Sequence, residues 1–158
     1  MARLADLSEQ ERAYLLQLRD KAPRFDEQPV AKGPPLHRRR VAIVSTAGLH
    51  TRDDPPFANG AGATGYRVIP GDTPVGELLM SHVSVNFDRS GFRRDPNLVF
   101  PLDRLREMAA DGEIGSVADV HYAFMGAPFP PTRFEPKARE LAALLHRDAV
   151  DAVVLLPV

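Results

Sequence analysis

The chain has 158 residues, of which 44% are hydrophobic and 26% charged, with a formal net charge of −1 and no cysteine. This length fits a domain with a real core, and the near-neutral charge gives no reason to expect nucleic acid or an anionic membrane as a partner. Disulfides, thiolate–zinc sites and a cysteine nucleophile are excluded within these residues. The lack of a long apolar run or signal peptide predicts a cytoplasmic protein.

The first predicted element is a helix followed by a polar, proline-bearing linker. Ser8 and Glu11 have the spacing of a capping box, and the helix is predicted to end near Ala22. We therefore predict an N-terminal helix and linker over residues 1–35, as an appendage, and an α/β domain over residues 36–158.

Alternating strands and helices follow. A parallel sheet places ligand-facing loops after the carboxyl ends of its strands. Four ligand-facing segments are therefore expected: the loops after Thr46, Ser84 and Met125, and the end of the chain. The last eight residues, DAVVLLPV, have the fully apolar pattern of a buried central strand. The fold predicted is α/β, with a mostly parallel sheet and helices on both faces. Its strands are predicted at 41–46, 66–69, 78–84, 117–125 and 152–156, and its helices at 101–112 and 133–147.

Polar side chains cluster at the predicted strand ends. Histidine is the natural proton carrier at neutral pH, and a carboxylate such as Asp88 can orient an imidazole. His50 and His82 lie in or beside expected ligand-facing loops, whereas His121, within a strand, fits a satisfied core residue better. A histidine–aspartate metal site remains conceivable, although no H-x-H or H-E-x-x-H spacing supports it. The residues at these strand ends are Ser45, Thr46, His50, His82, Asn86 and Asp88.

Five consecutive blocks of sequence carry a family resemblance. They are VSTAGLHTRDDPPF, YRVIPGD, SHVSVNFD, DPNLVFPLDRLREMAADGEIG and HYAFMGA. From about Val41 to its last residue the chain resembles the selenoprotein B family of glycine, sarcosine, betaine and D-proline reductases, and most of all its compact D-proline-reductase-like members. The resemblance implies a cytoplasmic enzyme that reductively cleaves a bond at a substrate carbon, usually carbon–nitrogen. A selenol or thiol would be the nucleophile and an external dithiol the reductant, with no other cofactor.

The resemblance also implies a nucleophile beyond the last strand. In the family a strand like VDAVVLLPV is followed almost at once by a catalytic selenocysteine or cysteine, and this chain ends there. A UGA codon taken as a stop, a cut fragment, or a natural subunit completed by another polypeptide would each explain the end. We therefore expect a domain incomplete at its C-terminus, either marginally stable or associating through an uncovered sheet face. A second subunit or a thiol or selenol redox partner, in a homo- or hetero-oligomer, is expected.

The implied chemistry assigns roles to several residues. His50 or His82 would give a proton to the departing amine, with Asp88 orienting the imidazole. A guanidinium can hold a substrate carboxylate bidentately, a role for Arg94 or its neighbour Arg93. Non-catalytic scaffolding, a metal-dependent hydrolase using the histidines and a cofactor-free isomerase remain as alternatives. The residues expected to bind substrate are Ser45, Thr46, Gly48, Asn86, Arg94 and Gly126.

Overall fold

The computed structural model describes residues 3–24, 31–57, 63–84, 88–126 and 130–158, and contains a mixed sheet with helices on both faces. Short 3-10 turns join several elements. In chain order the helices and strands are α1 (Glu9–Lys21), β1 (Arg40–Ser45), β2 (Leu49–His50), β3 (Tyr66–Pro70), β4 (Leu79–Met80), α2 (Ser90–Arg94), α3 (Leu102–Ala110), β5 (Ser116–Val117), β6 (Val120–Phe124), α4 (Glu135–Arg147) and β7 (Ala152–Leu156).

The main sheet is mixed, whereas the sequence predicted a mostly parallel one. β1 pairs in parallel with β5, β6 and β7, but β3 pairs antiparallel with β6. A parallel neighbour needs a crossover that carries the chain back to the opposite edge of the sheet. The described part of the connection between β1 and β3 contains the short β2 but no helix, so β3 starts at the carboxyl edge of β1 and runs the other way.

The two faces of the sheet are covered by different helices, as the sequence predicted. Strand alternation points Val41 and Ile43 of β1 toward α3, where Leu102 and Leu105 are buried with them. The opposite face packs against α4, whose buried residue is Leu141, in a cluster with Tyr122 and Phe124 of β6.

Strand β7 lies at an edge of the sheet, so the prediction of a buried central strand is wrong. It pairs with β1 alone among the strands that the structure describes. The other side of β1 is occupied by β5 and β6, so the chain leaving α4 adds to the free side. Ala152, Val154 and Leu156 pack against the core on the α3 face, whereas Leu155 is 70% exposed on the other face. Association through this exposed apolar surface stays a prediction.

Residues 78–84 were predicted as a strand, but the structure forms only Leu79–Met80 there. This β4 pairs antiparallel with β2 in a separate two-stranded ladder. A 3-10 turn at Val75–Glu77 lies directly before the predicted strand, so extended backbone begins later than predicted. Beyond β4 the Ser81 N–H donates one further hydrogen bond, to the Gly48 carbonyl (2.9 Å). The strand is therefore much shorter than the apolar run suggested.

The N-terminal helix α1 forms as predicted, through its capping box. The Ser8 hydroxyl accepts the Glu11 N–H (3.3 Å), and the Glu11 carboxylate accepts the Ser8 N–H (3.1 Å). The structure describes all of α1, and no residue in it is buried; Tyr14 is 60% exposed. Within the described residues, no helix has both the length and the apolar character needed to cross a membrane.

A register shift divides the strand next to β1 into β5 and β6. Val41 lies opposite Val117, and Val44 lies opposite Tyr122, so three steps along β1 match five steps along its partner. Because of the two extra residues, N–H groups in the middle of β1 lose the backbone carbonyls that an unbroken ladder would offer them. The side chain of His121 replaces one of these carbonyls, because its Nδ1 accepts the Ile43 N–H at 3.0 Å. His121 is fully buried and acts as part of the sheet through Nδ1. Among the residues that the structure describes, its Nε2 has no hydrogen-bond partner, so the prediction of a satisfied core histidine holds only for Nδ1.

Arg40 joins three segments at the amino end of the sheet. Its guanidinium donates to the Val117 carbonyl (3.0 Å) and to both the carbonyl (2.8 Å) and the carboxylate (2.7 Å) of Asp148, and it pairs with Asp119. The Asp148 carboxylate raises the pKa of Arg40. We expect Arg40→Lys to lower the free energy of unfolding by about 1–3 kcal/mol, since lysine cannot reproduce this fork. Urea denaturation measures this change in the free energy of unfolding. The control is Arg104→Lys, in an exposed ion pair, which should change the free energy of unfolding by less than about 1 kcal/mol.

Candidate functional site

The carboxyl ends of β1, β6 and β7 meet at Thr46, which directly follows β1. The Thr46 N–H donates to the Leu156 carbonyl (3.0 Å), and the Thr46 hydroxyl accepts the Val158 N–H (2.8 Å). Thr46 therefore fixes the end of β7 beside β1. Ser45 is fully buried, where its hydroxyl donates to the Val99 carbonyl (3.0 Å) and accepts the Ala47 N–H (3.2 Å). The Ser45 side chain is thus held by the core, and its contact with substrate stays a prediction.

Two glycines allow His82 to approach this junction. Gly48 has φ +65°, and a Cβ there would lie 3.0 Å from the backbone nitrogen of His82. A Cβ on Gly126 would lie 2.5 Å from the Val158 carbonyl oxygen and 3.1 Å from Nε2 of His82. We call Thr46, Gly48, His82, Gly126 and Val158 the strand-end site; four of these residues were predicted from the sequence to be functional.

His82 presents a neutral N–H to the strand-end site. Its Nδ1 accepts the Ser84 N–H (3.2 Å), so the proton of the neutral ring is on Nε2, the atom beside Gly126. Burial lowers the pKa of His82, and this outweighs the raising effect of the Val158 backbone; the charge of Arg89 lowers the pKa further. At neutral pH His82 is therefore a hydrogen-bond donor without charge.

His50 has the opposite arrangement. Its Nδ1 donates to the Thr51 carbonyl (2.7 Å), so its Nε2 carries the lone pair and accepts a hydrogen bond from the Ser81 hydroxyl (2.8 Å). His50 is 6% exposed. Ser81 was missed from the sequence, because it is 31 positions from His50 and the register of β2 with β4 was not foreseen.

The remaining predicted residues lie elsewhere. The Asp88 carboxylate accepts the backbone N–H and the hydroxyl of Ser90 (both 2.8 Å), and these bonds lower the pKa of Asp88. The Thr51 carbonyl, rather than Asp88, accepts the Nδ1–H of His50; orientation of His82 by Asp88 stays a prediction. Arg94, in the last turn of α2, lines an open depression of about 410 Å³ with Asp88 and Ser90. Asn86 lies outside the described residues.

The metal-site alternative gains no support from the side-chain positions. Across the described ranges, no three histidine, aspartate or glutamate side chains come close enough together to hold a metal ion.

The sequence of the chain matches a known family along most of its length. A model of the glycine/sarcosine/betaine reductase selenoprotein B family matches residues 14–157. The chain belongs to the selenoprotein B family. This confirms the resemblance found in the sequence blocks between Val41 and the last residue.

Several relatives of this selenoprotein B chain are named as reductase subunits. It is 38% identical to the D-proline reductase subunit gamma of Acetoanaerobium sticklandii, over 80% of this chain and 51% of the relative. It is 28% identical to the betaine reductase complex component B subunit beta of Peptoclostridium acidaminophilum, over 76% and 28%. It is 29% identical to the glycine reductase complex component B subunit gamma of Symbiobacterium thermophilum, over 84% and 32%.

The selenoprotein B chain described here spans about half the length of the D-proline reductase subunit and about a third or less of the other two relatives. No solved structure shows a significant match to it.

Proposed function

We propose that this chain is a cytoplasmic subunit of an oligomeric reductase that cleaves a carbon–nitrogen bond in a small, amino-acid-like substrate. The observation that carries the proposal is the N–H of His82 at the joined carboxyl ends of β1, β6 and β7, in a member of a reductase family. The names of the relatives, which act on D-proline, betaine or glycine, support the substrate class.

The nucleophile of the proposed reaction is a selenol or thiol from outside these 158 residues, since they contain no cysteine. It attacks the substrate carbon, and the electron pair of the carbon–nitrogen bond leaves with the nitrogen, which takes up a proton. An external dithiol then reduces the resulting carbon–selenium or carbon–sulfur bond. It supplies two electrons and becomes a disulfide, while the substrate carbon takes a proton.

His82 has an electrostatic role in this proposal. Hydrogen bonds from N–H groups to ionised acceptors are about twice as strong as those between neutral groups. In this proposal the Nε2–H of His82, which interacts with the Val158 backbone in the structure, would donate to the nucleophile and favour the selenolate or thiolate over its protonated form. Gly126 allows His82 and the end of β7 to lie close together, because a side chain there would collide with Val158 and His82. Arg94 remains our proposed contact for a substrate carboxylate.

A second candidate function is that of a non-catalytic partner subunit. The absence of cysteine from the chain favours it, together with the naming of its relatives as subunits of complexes. Purification of the native complex separates the two possibilities. A selenol- or thiol-bearing polypeptide that reacts with alkylating probes near His82 supports the shared site, whereas cross-links from that polypeptide exclusively to distant surfaces support the scaffold.

Turnover by the native complex tests the role of His82. We expect His82→Phe, which keeps a ring but removes the N–H, to lower kcat by about 100-fold or more, as loss of one preorganised donor does elsewhere. The assay follows reductive cleavage of D-proline, glycine, sarcosine and betaine with a dithiol. His37→Phe, in the 3-10 turn before β1, is the matched control. Wild-type turnover by a folded His82→Phe complex would contradict the assignment.

A further inference from the structure

We propose that Ser81 and His50 form a second reactive site, in which the Ser81 hydroxyl is a nucleophile toward activated acyl esters. The pair lies on the β2–β4 ladder, and its chemistry does not depend on the proposed reductase. A hydroxyl held by the lone pair of an imidazole, with the ring fixed by a third group, is the arrangement that activates serine for acyl transfer.

The ladder brings the two side chains to one face. His50 lies opposite Leu79 in the register of β2 with β4, and Ser81 follows two residues later. Residues two apart on a strand share a face, so His50 and Ser81 are diagonal neighbours across the ladder. The distance of 2.8 Å between Nε2 and Oγ is a full hydrogen bond. His50 is buried, whereas Ser81 is half-buried and retains access to solvent.

A tight turn fixes the tautomer of His50. The Asp54 carboxylate accepts the N–H (3.0 Å) and the hydroxyl (2.8 Å) of Thr51, which holds this residue in place. The Thr51 carbonyl then accepts the Nδ1–H of His50 at 2.7 Å. With Nδ1 committed as the donor, Nε2 of the neutral ring can act only as an acceptor. The carbonyl also remains available to stabilise the imidazolium that forms when Nε2 takes a proton.

The step has a complete balance of atoms and electrons. Oγ of Ser81 attacks the ester carbonyl carbon while its proton passes to Nε2 of His50. The carbon–oxygen bond to the leaving alcohol or phenol breaks with its electron pair on that oxygen. The imidazolium returns its proton to the leaving group or to solvent, which leaves an acyl-serine and a neutral imidazole. No oxidation or reduction takes place.

This pair is separate from the strand-end site. Ser81 and His82 are consecutive, and consecutive residues in extended backbone point to opposite sides. The His82 ring accordingly lies beside Gly126, whereas the Ser81 hydroxyl bonds to His50. A reagent can therefore report on Ser81 without passing through the proposed reductase chemistry.

The test is acetylation of the isolated full chain by p-nitrophenyl acetate, followed by p-nitrophenolate release and by mass spectrometry of proteolytic fragments. We expect one acetyl group on Ser81 and none there in Ser81→Ala. His50→Gln should slow labelling of Ser81 by about 100-fold or more, because it removes the general base. Ser90→Ala, which deletes a serine hydroxyl bonded to Asp88, is the matched control and should label Ser81 at the wild-type rate.

A second variant covers the case in which His50→Gln does not fold, as judged by circular dichroism. Ser81→Cys keeps a nucleophile beside the imidazole and should be acetylated faster at pH 7 than an added small-molecule thiol. Absence of label on Ser81 in the folded wild-type chain, or equal labelling in folded His50→Gln, overturns the proposal. Loss of reductase turnover in the native complex has no bearing on this result.

Discussion

Acidification from pH 7 to pH 4 should cost the wild-type chain about 3 kcal/mol more stability than it costs the His121→Asn variant. Burial lowers the pKa of His121 from 6.5 to about 4, and the charges of Arg106 and Arg40 lower it further, against a raising effect of Asp148. A difference of this size between the folded and unfolded pKa corresponds to about 3 kcal/mol, at 1.36 kcal/mol per unit.

The sign follows from where the proton binds. Between pH 6.5 and pH 4 the unfolded chain protonates this histidine and the folded chain does not. Acid therefore favours the unfolded state. The contribution of neutral His121 to the free energy of unfolding is complete above pH 6.5 and is lost by about pH 4. The buried ring cannot take the proton without losing its Nδ1 bond to the Ile43 N–H. Within the described residues its Nε2 also has no hydrogen-bond partner.

Urea denaturation across this pH range measures the effect. The asparagine of the His121→Asn variant would keep an acceptor near Ile43 but would not titrate, so subtracting the curve of this variant removes the contributions of all other groups, His82 among them. His121→Phe supplies a second comparison, because it fills the ring volume but leaves the Ile43 N–H without an acceptor. It should be about 1–3 kcal/mol less stable than a variant that retains the acceptor. Parallel wild-type and His121→Asn curves would contradict the assigned pKa.

Replacement of Gly126 by alanine should abolish turnover by the native complex and lower the free energy of unfolding by about 1–3 kcal/mol, as overpacking does. The added Cβ would lie 2.5 Å from the Val158 carbonyl oxygen and 3.0 Å from that of Thr46. Both atoms belong to the backbone, so neither can turn away as a side chain would. The end of β7 must then separate from β1, and His82 must move from the strand-end site.

Gly76→Ala is the matched control, because a Cβ there meets no atom within 4 Å. Turnover and urea denaturation of the two variants should therefore differ clearly. A chemical-shift map of the backbone should place the changes of Gly126→Ala at Thr46 and Val158. Wild-type turnover in Gly126→Ala would show that the strand-end site is not where the chemistry occurs.

Local signals predicted the elements that depend on local contacts. The capping box at Ser8 and Glu11 forms, and so does the helix that ends before Gly112, a residue whose φ of +74° suits glycine. Strand β1 was also predictable from its own residues, because a short β-branched, apolar run favours a buried strand whichever strands pair with it.

Features that depend on pairing were not predictable in this way. The antiparallel direction of β3 and the edge position of β7 are set by how connections cross the sheet, which periodicity does not record. At the candidate site the sequence found His82, Thr46 and the glycines, because they follow strand ends. It could not assign the partners of His50, since the Ser81 hydroxyl reaches it only through the register of β2 with β4.

The register shift between β5 and β6 limits which insertions and deletions this fold tolerates. The excess over β1 is two residues, an even number, so side chains on both parts keep the faces that an unbroken strand would give them. A single-residue deletion at Ala118 or Asp119 would turn every β6 side chain to the wrong face. Loss of both residues would leave the faces unchanged and restore an ordinary ladder, in which the imidazole of His121 is no longer required. Length variation at this point is therefore expected in steps of two.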